Sequence, residues 1–153
     1  MVRSVQPADM QSLLSLAESL DLFTSAEIEE IKERLCHYLS GNTECIWLAF
    51  EENGLEGAVY CAPEPMTKGT WNALMLLVRE DAQGRGRGSE LMQAVEKQLK
   101  TQKARLLIVE TSGTEGFEQA QRFYGKNGFM KVAQIPDFYD SGDDKIVFAK
   151  RLC

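Results

Sequence analysis

The sequence predicts one α/β domain over residues 1–153, built on a single mixed sheet with helices on its faces. Three observations support this fold class. Helical periodicity fills the first 40 residues, a hairpin pattern follows, and strands then alternate with helices. Because hairpins form antiparallel pairs and strand–helix–strand units form parallel ones, we expect both kinds of pairing in the sheet.

The first third of the chain has the pattern of two amphipathic helices. Apolar residues recur at helical spacing over residues 10–20 and again over residues 28–39. Thr24 and Glu27 have the spacing of a capping box, which predicts the start of the second helix. Gly41 is then expected to end it.

The middle of the chain predicts three strands. Residues 45–50 and 55–61 flank an Asn-Gly turn and indicate a hairpin. Two prolines then interrupt the pairing. Residues 71–78 follow as a strand that is apolar enough to be buried on both faces.

The last half alternates elements. We expect a helix over residues 89–100, a buried strand over 106–109 and a helix that stops near Gly128. The final strands are predicted over residues 129–133 and 146–150. Between them, a segment rich in aspartate is predicted to be a loop.

Composition and charge exclude several classes of function. Seventeen Lys and Arg against 23 Asp and Glu give a net charge of −6, which disfavours nucleic acid and anionic membranes as partners. The longest apolar runs have six residues, whereas a membrane helix needs about 20. The polar N-terminus does not resemble a signal peptide, and the four cysteines fit no metal-ligand spacing. We therefore expect a cytoplasmic protein with reduced thiols and no metal.

The most informative segment is a glycine-rich loop, Gln83-Gly84-Arg85-Gly86-Arg87-Gly88-Ser89, between a predicted strand and a predicted helix. Its glycines let backbone N–H groups converge, and the helix N-terminus adds free donors and a favourable dipole. Such a loop can hold a pyrophosphate, and its two arginines could add positive charge.

Other phosphate-binding motifs fit this loop less well. No lysine follows the glycines as in a P-loop, and Ser89 stands where a Rossmann fingerprint has its third glycine. From the loop alone, a ligand site and a glycine-rich helix cap remain equally open.

Two segments, residues 83–88 and residues 123–129, resemble the motifs of the GNAT family of N-acetyltransferases, and residues 135–144 resemble the tail of its small bacterial-type members. Residues 83–88 are similar to the family signature Q/R-x-x-G-x-G/A, and residues 123–129 are similar to its FYxxxGF helix end. The resemblance is specific over residues 71–133, and the first 40 residues match only in being helical. It implies a mostly antiparallel sheet with two splayed parallel central strands, helices on both faces, and acetyl-CoA (coenzyme A) as cofactor.

The resemblance also implies which residues contact the cofactor. The backbone of Leu77 and Val78 would pair with the pantetheine arm, and an N–H near Leu76 would face the acetyl carbonyl oxygen. The pyrophosphate would lie on the loop residues, namely Gln83, Gly84, Arg85, Gly86, Arg87, Gly88 and Ser89.

The implied reaction is direct attack of a neutral amine on the thioester in a ternary complex. Tyr124 matches the family tyrosine that contacts the cofactor and protonates the leaving thiolate. Glu110, expected at the end of its strand, is the candidate base, directly or through a water. A structural role stays open for each: Tyr124 as a core aromatic, and Glu110 as a strand-end carboxylate held by helix N–H groups.

The acceptor prediction rests on charge. Candidate substrate-binding residues are Trp71, Glu110, Asp137 and Tyr139, because the acidic tail would border the acceptor pocket and favour a cationic amine. A solvated turn rich in aspartate and glycine is the alternative. The acceptor would be a small molecule or a protein or peptide amine, and the chain a monomer or homodimer.

Three functional classes remain after this reasoning. An N-acetyltransferase leads, and a CoA-binding sensor or partner-binding module of the same fold without turnover comes second. A Rossmann-like nucleotide-binding protein is disfavoured by Ser89 and by the hairpin that precedes the loop.

Overall fold

The computed structural model describes all 153 residues and contains seven β-strands and four α-helices. The strands are β1 (Val2–Ser4), β2 (Ile46–Glu51), β3 (Leu55–Pro63), β4 (Thr70–Val78), β5 (Leu106–Ser112), β6 (Met130–Asp140) and β7 (Asp143–Arg151). The helices are α1 (Met10–Ser19), α2 (Ser25–Leu39), α3 (Arg87–Thr101) and α4 (Glu118–Lys126). The strand order is β1-β2-β3-β4-β5-β7-β6. Only β4 and β5 pair in parallel among the pairs whose register is described, so the predicted mixed sheet is confirmed.

The chain divides into two compact units. The first consists of Met1–Ala62 and Met75–Gln98, and the second of Pro63–Leu74 and Leu99–Cys153. Strand β4 and helix α3 each run from one unit into the other. The single domain expected from the sequence stays a prediction.

The first unit packs helices on both faces of its strands. Leu13, Leu16 and Leu35 of α1 and α2 belong to one core cluster with Trp47 and Tyr60. These two rings stack with their centroids 4.4 Å apart. Side chains alternate between the two faces of a strand, and Phe50 of β2 accordingly contacts Arg87 of α3 on the opposite face.

Gly57 lets α3 and β4 approach the strand that carries it. A Cβ added at this position would lie 2.8 Å from the Leu77 carbonyl oxygen and 3.1 Å from Leu91 of α3. Backbone cannot yield as a flexible side chain can, so β3 needs a glycine at this position.

Two local predictions in this unit are confirmed. Thr24 Oγ1 accepts from the Glu27 N–H at 3.2 Å, and Glu27 Oε1 accepts from the Thr24 N–H at 2.9 Å, so the capping box forms. The hairpin also forms, with Ile46 opposite Cys61 and Phe50 opposite Gly57. The short strand β1, which pairs with β2 through Val2 and Phe50, was not predicted.

The second unit is organised around β5. Its parallel pairing with β4 covers only three residue pairs and stops at Asn72 opposite Ile108. Strand β5 nevertheless continues to Ser112, paired with β7 over its whole length. Beyond Ile108, β5 therefore has an edge that β4 does not cover.

The loop predicted for the acidic tail is wrong. Strands β6 and β7 form a long hairpin there, with Asp140 opposite Asp143. The prediction rested on the aspartates, which favour turns, but the pairing with β7 holds this segment in a strand. Pro136 is tolerated there because β6 is the last strand of the sheet and its outer side needs no partner. The ladder is irregular between Ile135 and Asp140, and Asp137 has a positive φ of 55°.

None of the four α-helices has both the length and the apolar character that a bilayer-crossing helix requires.

Candidate functional site

The glycine-rich loop lies between β4 and α3, where the sequence predicts it. Gln83 Nε2 donates to the Val78 carbonyl oxygen at 3.0 Å and so ties the loop to the end of the strand. Gly84 and Gly86 have φ of 78° and 82°, and a Cβ at either would meet no heavy atom within 4 Å. The loop is thus open to solvent directly before the first turn of α3, whose N–H groups have no partner within the helix. These residues fit a pyrophosphate.

Leu76, Leu77 and Val78 form the end of β4 that enters this loop. Leu77 is buried in the cluster with α1 and α2, while Leu76 and Val78 are half-buried. Their predicted backbone contacts with a cofactor stay a prediction.

The guanidinium of Arg87 is paired with carboxylates of the protein and is not free to bind a phosphate. Its Nη2 donates to Glu52 Oε2 at 2.6 Å and its Nε to Glu56 Oε1 at 3.1 Å. Its guanidinium also lies 4.5 Å from the centroid of the Phe50 ring. Arg85 is exposed and forms no ion pair, so it is the loop cation that remains for an anionic ligand.

Glu56 anchors the start of α3 and was not among the predicted residues. It is only 1% exposed, and it accepts from the Asn53 N–H at 2.9 Å as well as from Arg87. The hydrogen bond from Asn53, followed by that from Arg87, holds the pKa of the Glu56 carboxyl below its usual range. A glutamate within the apolar run of β3 was the available sequence signal.

Glu56→Gln should lower the thermal unfolding midpoint at pH 7 by several degrees, because Arg87 loses its buried counter-charge. The folded-state pKa lies below the unfolded one, so this stabilisation is present above pH 4.5 and is lost as the pH falls through the lower folded value. Unfolding midpoints measured from neutral to acid pH should therefore converge for wild type and variant. The control is Glu44→Gln, which removes an exposed carboxylate. A constant gap between wild type and Glu56→Gln down to acid pH contradicts this role.

Glu110 lies in a polar cluster of the second unit. Asn72 Nδ2 donates to Glu110 Oε1 at 3.2 Å and to Glu64 Oε1 at 2.8 Å. Lys145 Nζ forms an ion pair with Glu110 Oε2 at 2.8 Å. Strand β5 runs two residues past Glu110 to Ser112, so the glutamate does not end its strand as expected, and these partners are side chains of strands rather than helix N–H groups.

The aspartates of the tail mainly hold their own hairpin together. Asp144 accepts from the Asp137 N–H at 3.0 Å, and Asp137 accepts from the Gly142 N–H at 2.8 Å. The first of these bonds, with one from Gln134, lowers the pKa of Asp144. Asp143 accepts from Ser112 Oγ. These contacts favour the structural interpretation of the acidic tail.

Tyr139 of the tail lies within the electrostatic influence of Glu110. Partial burial raises the pKa of its phenol, and the negative charges of Glu110 and Asp143 raise it further. Its ring packs edge-on against Phe138, whose own face lies 4.1 Å from Lys145 Nζ. The roles of Glu110 and Tyr139 toward an acceptor stay predictions.

Tyr124 and Trp71 are largely buried, at 8% and 9% exposed. The Tyr124 ring contacts Phe129 and Phe148, with centroids 5.7 and 5.8 Å away. Trp71 lies on β4 opposite Leu107. Both therefore contribute to the core, and their predicted roles toward cofactor and acceptor stay predictions.

A family model described as an acetyltransferase (GNAT) domain matches residues 42–131, which is more than half of the chain. None of the curated proteins matches this chain.

Solved structures agree with this match. A protein of the GNAT family from Desulfovibrio desulfuricans is 28% identical, with a TM-score of 0.94 over 100% of this chain and 99% of the other. An aminoglycoside 6′-N-acetyltransferase in complex with coenzyme A is 18% identical, with a TM-score of 0.82 over 100% and 97%. The ribosomal-protein-S18-alanine N-acetyltransferase from Escherichia coli is 15% identical, with a TM-score of 0.80 over 99% and 93%.

The fold class and the family resemblance are therefore confirmed. Acetyl-CoA, the cofactor expected from the sequence, is the one that this family uses. The chain belongs to the GNAT acetyltransferase family.

Proposed function

We propose that this protein transfers an acetyl group from acetyl-CoA to a primary amine of a small cationic acceptor. The family match over residues 42–131 carries the proposal, since it covers both the glycine loop and the helix with Tyr124. When bound, acetyl-CoA supplies an acetyl group activated as a thioester.

The cofactor would be held by the residues named from the sequence. The open loop at Gly84 and Gly86, followed by the start of α3, offers backbone N–H groups to a pyrophosphate. Arg85 would add the positive charge, because Arg87 is already paired with two glutamates. Leu76, Leu77 and Val78 would contribute backbone groups to the pantetheine arm.

Tyr124 would supply the proton that the departing sulfur needs. Its ring is fixed by the aromatic contacts of Phe129 and Phe148, so its hydroxyl has a defined position. A fixed donor loses little conformational entropy when it bonds to the sulfur.

The contacts of Glu110 suit it better to orienting its neighbours than to removing a proton directly. Its carboxylate is neutralised by Lys145 at 2.8 Å and receives the Asn72 amide at 3.2 Å. Both oxygens of this carboxylate are therefore already engaged by protein donors. We therefore propose that Glu110 orients the Asn72 amide toward the acceptor, and that it takes the proton of the acceptor only through a water.

The test is a screen of amines with detection of the released CoA thiol. The panel contains an aliphatic diamine, an aminoglycoside and a peptide with a free N-terminal alanine, since the structural neighbours include an aminoglycoside and a ribosomal-protein acetyltransferase. We expect thiol release that depends on both protein and amine. Acetyl-CoA binding measured by calorimetry without thiol release from any amine would indicate a CoA-binding module instead.

A further inference from the structure

We propose that Glu64 and Asn72 bind an alkylammonium group of the acceptor. This inference rests on the proposed function, because it names the residues that recognise the amine. Both belong to the second unit, where β4 and β5 stop pairing.

Asn72 presents an acceptor that has no donor. The residue is 3% exposed, and its Oδ1 atom is buried without a hydrogen-bond partner. The amide cannot be turned around, because its NH₂ group already faces the carboxylates of Glu64 and Glu110, and an oxygen there would be repelled. Buried carbonyl oxygens are normally paired, so this atom requires an N–H or O–H donor.

Glu64 carries a negative charge that no cation balances. Its carboxylate accepts only from Asn72 Nδ2, at 2.8 Å, and forms no ion pair. Glu110, on the other side of the same amide, is balanced by Lys145 at 2.8 Å. Two carboxylates and one ammonium leave this cluster with one uncompensated negative charge, on Glu64.

The two observations specify one ligand chemistry. The Asn72 amide links the two groups, because its Nδ2 bonds the Glu64 carboxylate while its Oδ1 lacks a donor. A ligand with several N–H donors and a positive charge is complementary to both. A primary ammonium has three donors and one charge, so it can satisfy Asn72 Oδ1 and Glu64 together. A neutral hydroxyl could satisfy Asn72 but would leave the charge of Glu64 unbalanced.

The test compares Glu64→Gln with Glu115→Gln, which removes an exposed carboxylate of the same unit that forms no ion pair. Binding of diaminobutane is measured by calorimetry in the presence of CoA. We expect Glu64→Gln to raise the Kd about 10-fold and Glu115→Gln to leave it unchanged. Glutamine keeps the hydrogen bond to Asn72, so thermal unfolding should stay close to that of wild type.

The group bound at Glu64 and Asn72 is either the reacting amine of the acceptor or a second amine of the same molecule. Aminobutanol has only one amine and therefore distinguishes these two cases. If its acetylation also depends on Glu64, the reacting amine binds there as its ammonium and releases one proton to solvent before its lone pair attacks the thioester. If only the acetylation of diaminobutane depends on Glu64, the group bound there is the second, unreactive ammonium. Equal Kd values for wild type and Glu64→Gln, or no binding of diaminobutane to wild type, overturn the inference. If wild type and Glu64→Gln transfer acetyl groups at the same rate, this inference is wrong and the proposed function is unaffected. If wild type acetylates no amine, the proposed function is wrong, and the binding measurement still tests this inference.

Discussion

Tyr124→Phe should lower turnover by about 10- to 1000-fold while the KM for acetyl-CoA barely changes. Phenylalanine keeps the ring contacts with Phe129 and Phe148 and removes only the hydroxyl. If that hydroxyl protonates the leaving sulfur, its loss affects the transition state and not the binding of the ground state. The measurement is steady-state thiol release at saturating amine, under conditions where chemistry limits the rate.

The control for this substitution is Tyr38→Phe, which removes a tyrosine hydroxyl from α2 in the first unit. It should keep wild-type turnover. If Tyr124→Phe also keeps wild-type turnover, Tyr124 is a core aromatic and its assignment as the acid is wrong. Unfolding midpoints of both variants show whether the fold is intact.

Gly86→Val should weaken acetyl-CoA binding by about 10- to 100-fold, the equivalent of one charge-assisted hydrogen bond. The Cβ position at Gly86 is open, so the added side chain fills space in front of the loop rather than clashing with the protein. A pyrophosphate could then no longer approach the backbone N–H groups. Calorimetric titration with acetyl-CoA measures the change.

The strain of a side chain at positive φ is controlled with Gly41→Val. Gly41 follows α2, has φ of 106° and is equally open. Each substitution should cost about 1–2 kcal/mol of stability, because an L-residue is strained in the left-handed region. Acetyl-CoA affinity should fall only for Gly86→Val. Equal affinities in the two variants mean that the loop is a helix cap and not the cofactor site.

The sequence predicts those parts of the fold that depend on local signals. The capping box at Thr24 and the Asn-Gly hairpin place α2, β2 and β3 to within a few residues. The β6–β7 hairpin could not be predicted in the same way. Pro136 and the aspartates have low strand propensity, and pairing with β7 overrides it.

In the candidate site, too, local features could be predicted from the sequence and long-range contacts could not. Its glycine loop depends on spacing within seven residues and is where the sequence predicts it. The partners of Arg87 and Glu110 are long-range. Glu56 is 31 residues from Arg87, and Asn72 is 38 residues from Glu110. The spacing of residues in a single sequence does not encode such pairs. The ion pairs of Arg87 and the cluster around Asn72 are therefore visible only in the structure.

Transfer of a labelled acetyl group tests the proposed activity most directly. Acetyl-CoA carrying a heavy-isotope acetyl group is incubated with the protein and each amine of the panel, and the products are resolved by mass spectrometry. We predict that the label appears on the nitrogen of at least one cationic amine, with one CoA thiol released per acetyl group and with slower labelling in Tyr124→Phe. Bound acetyl-CoA that stays intact with every amine, or label that appears equally without the protein, would contradict the assignment as an N-acetyltransferase.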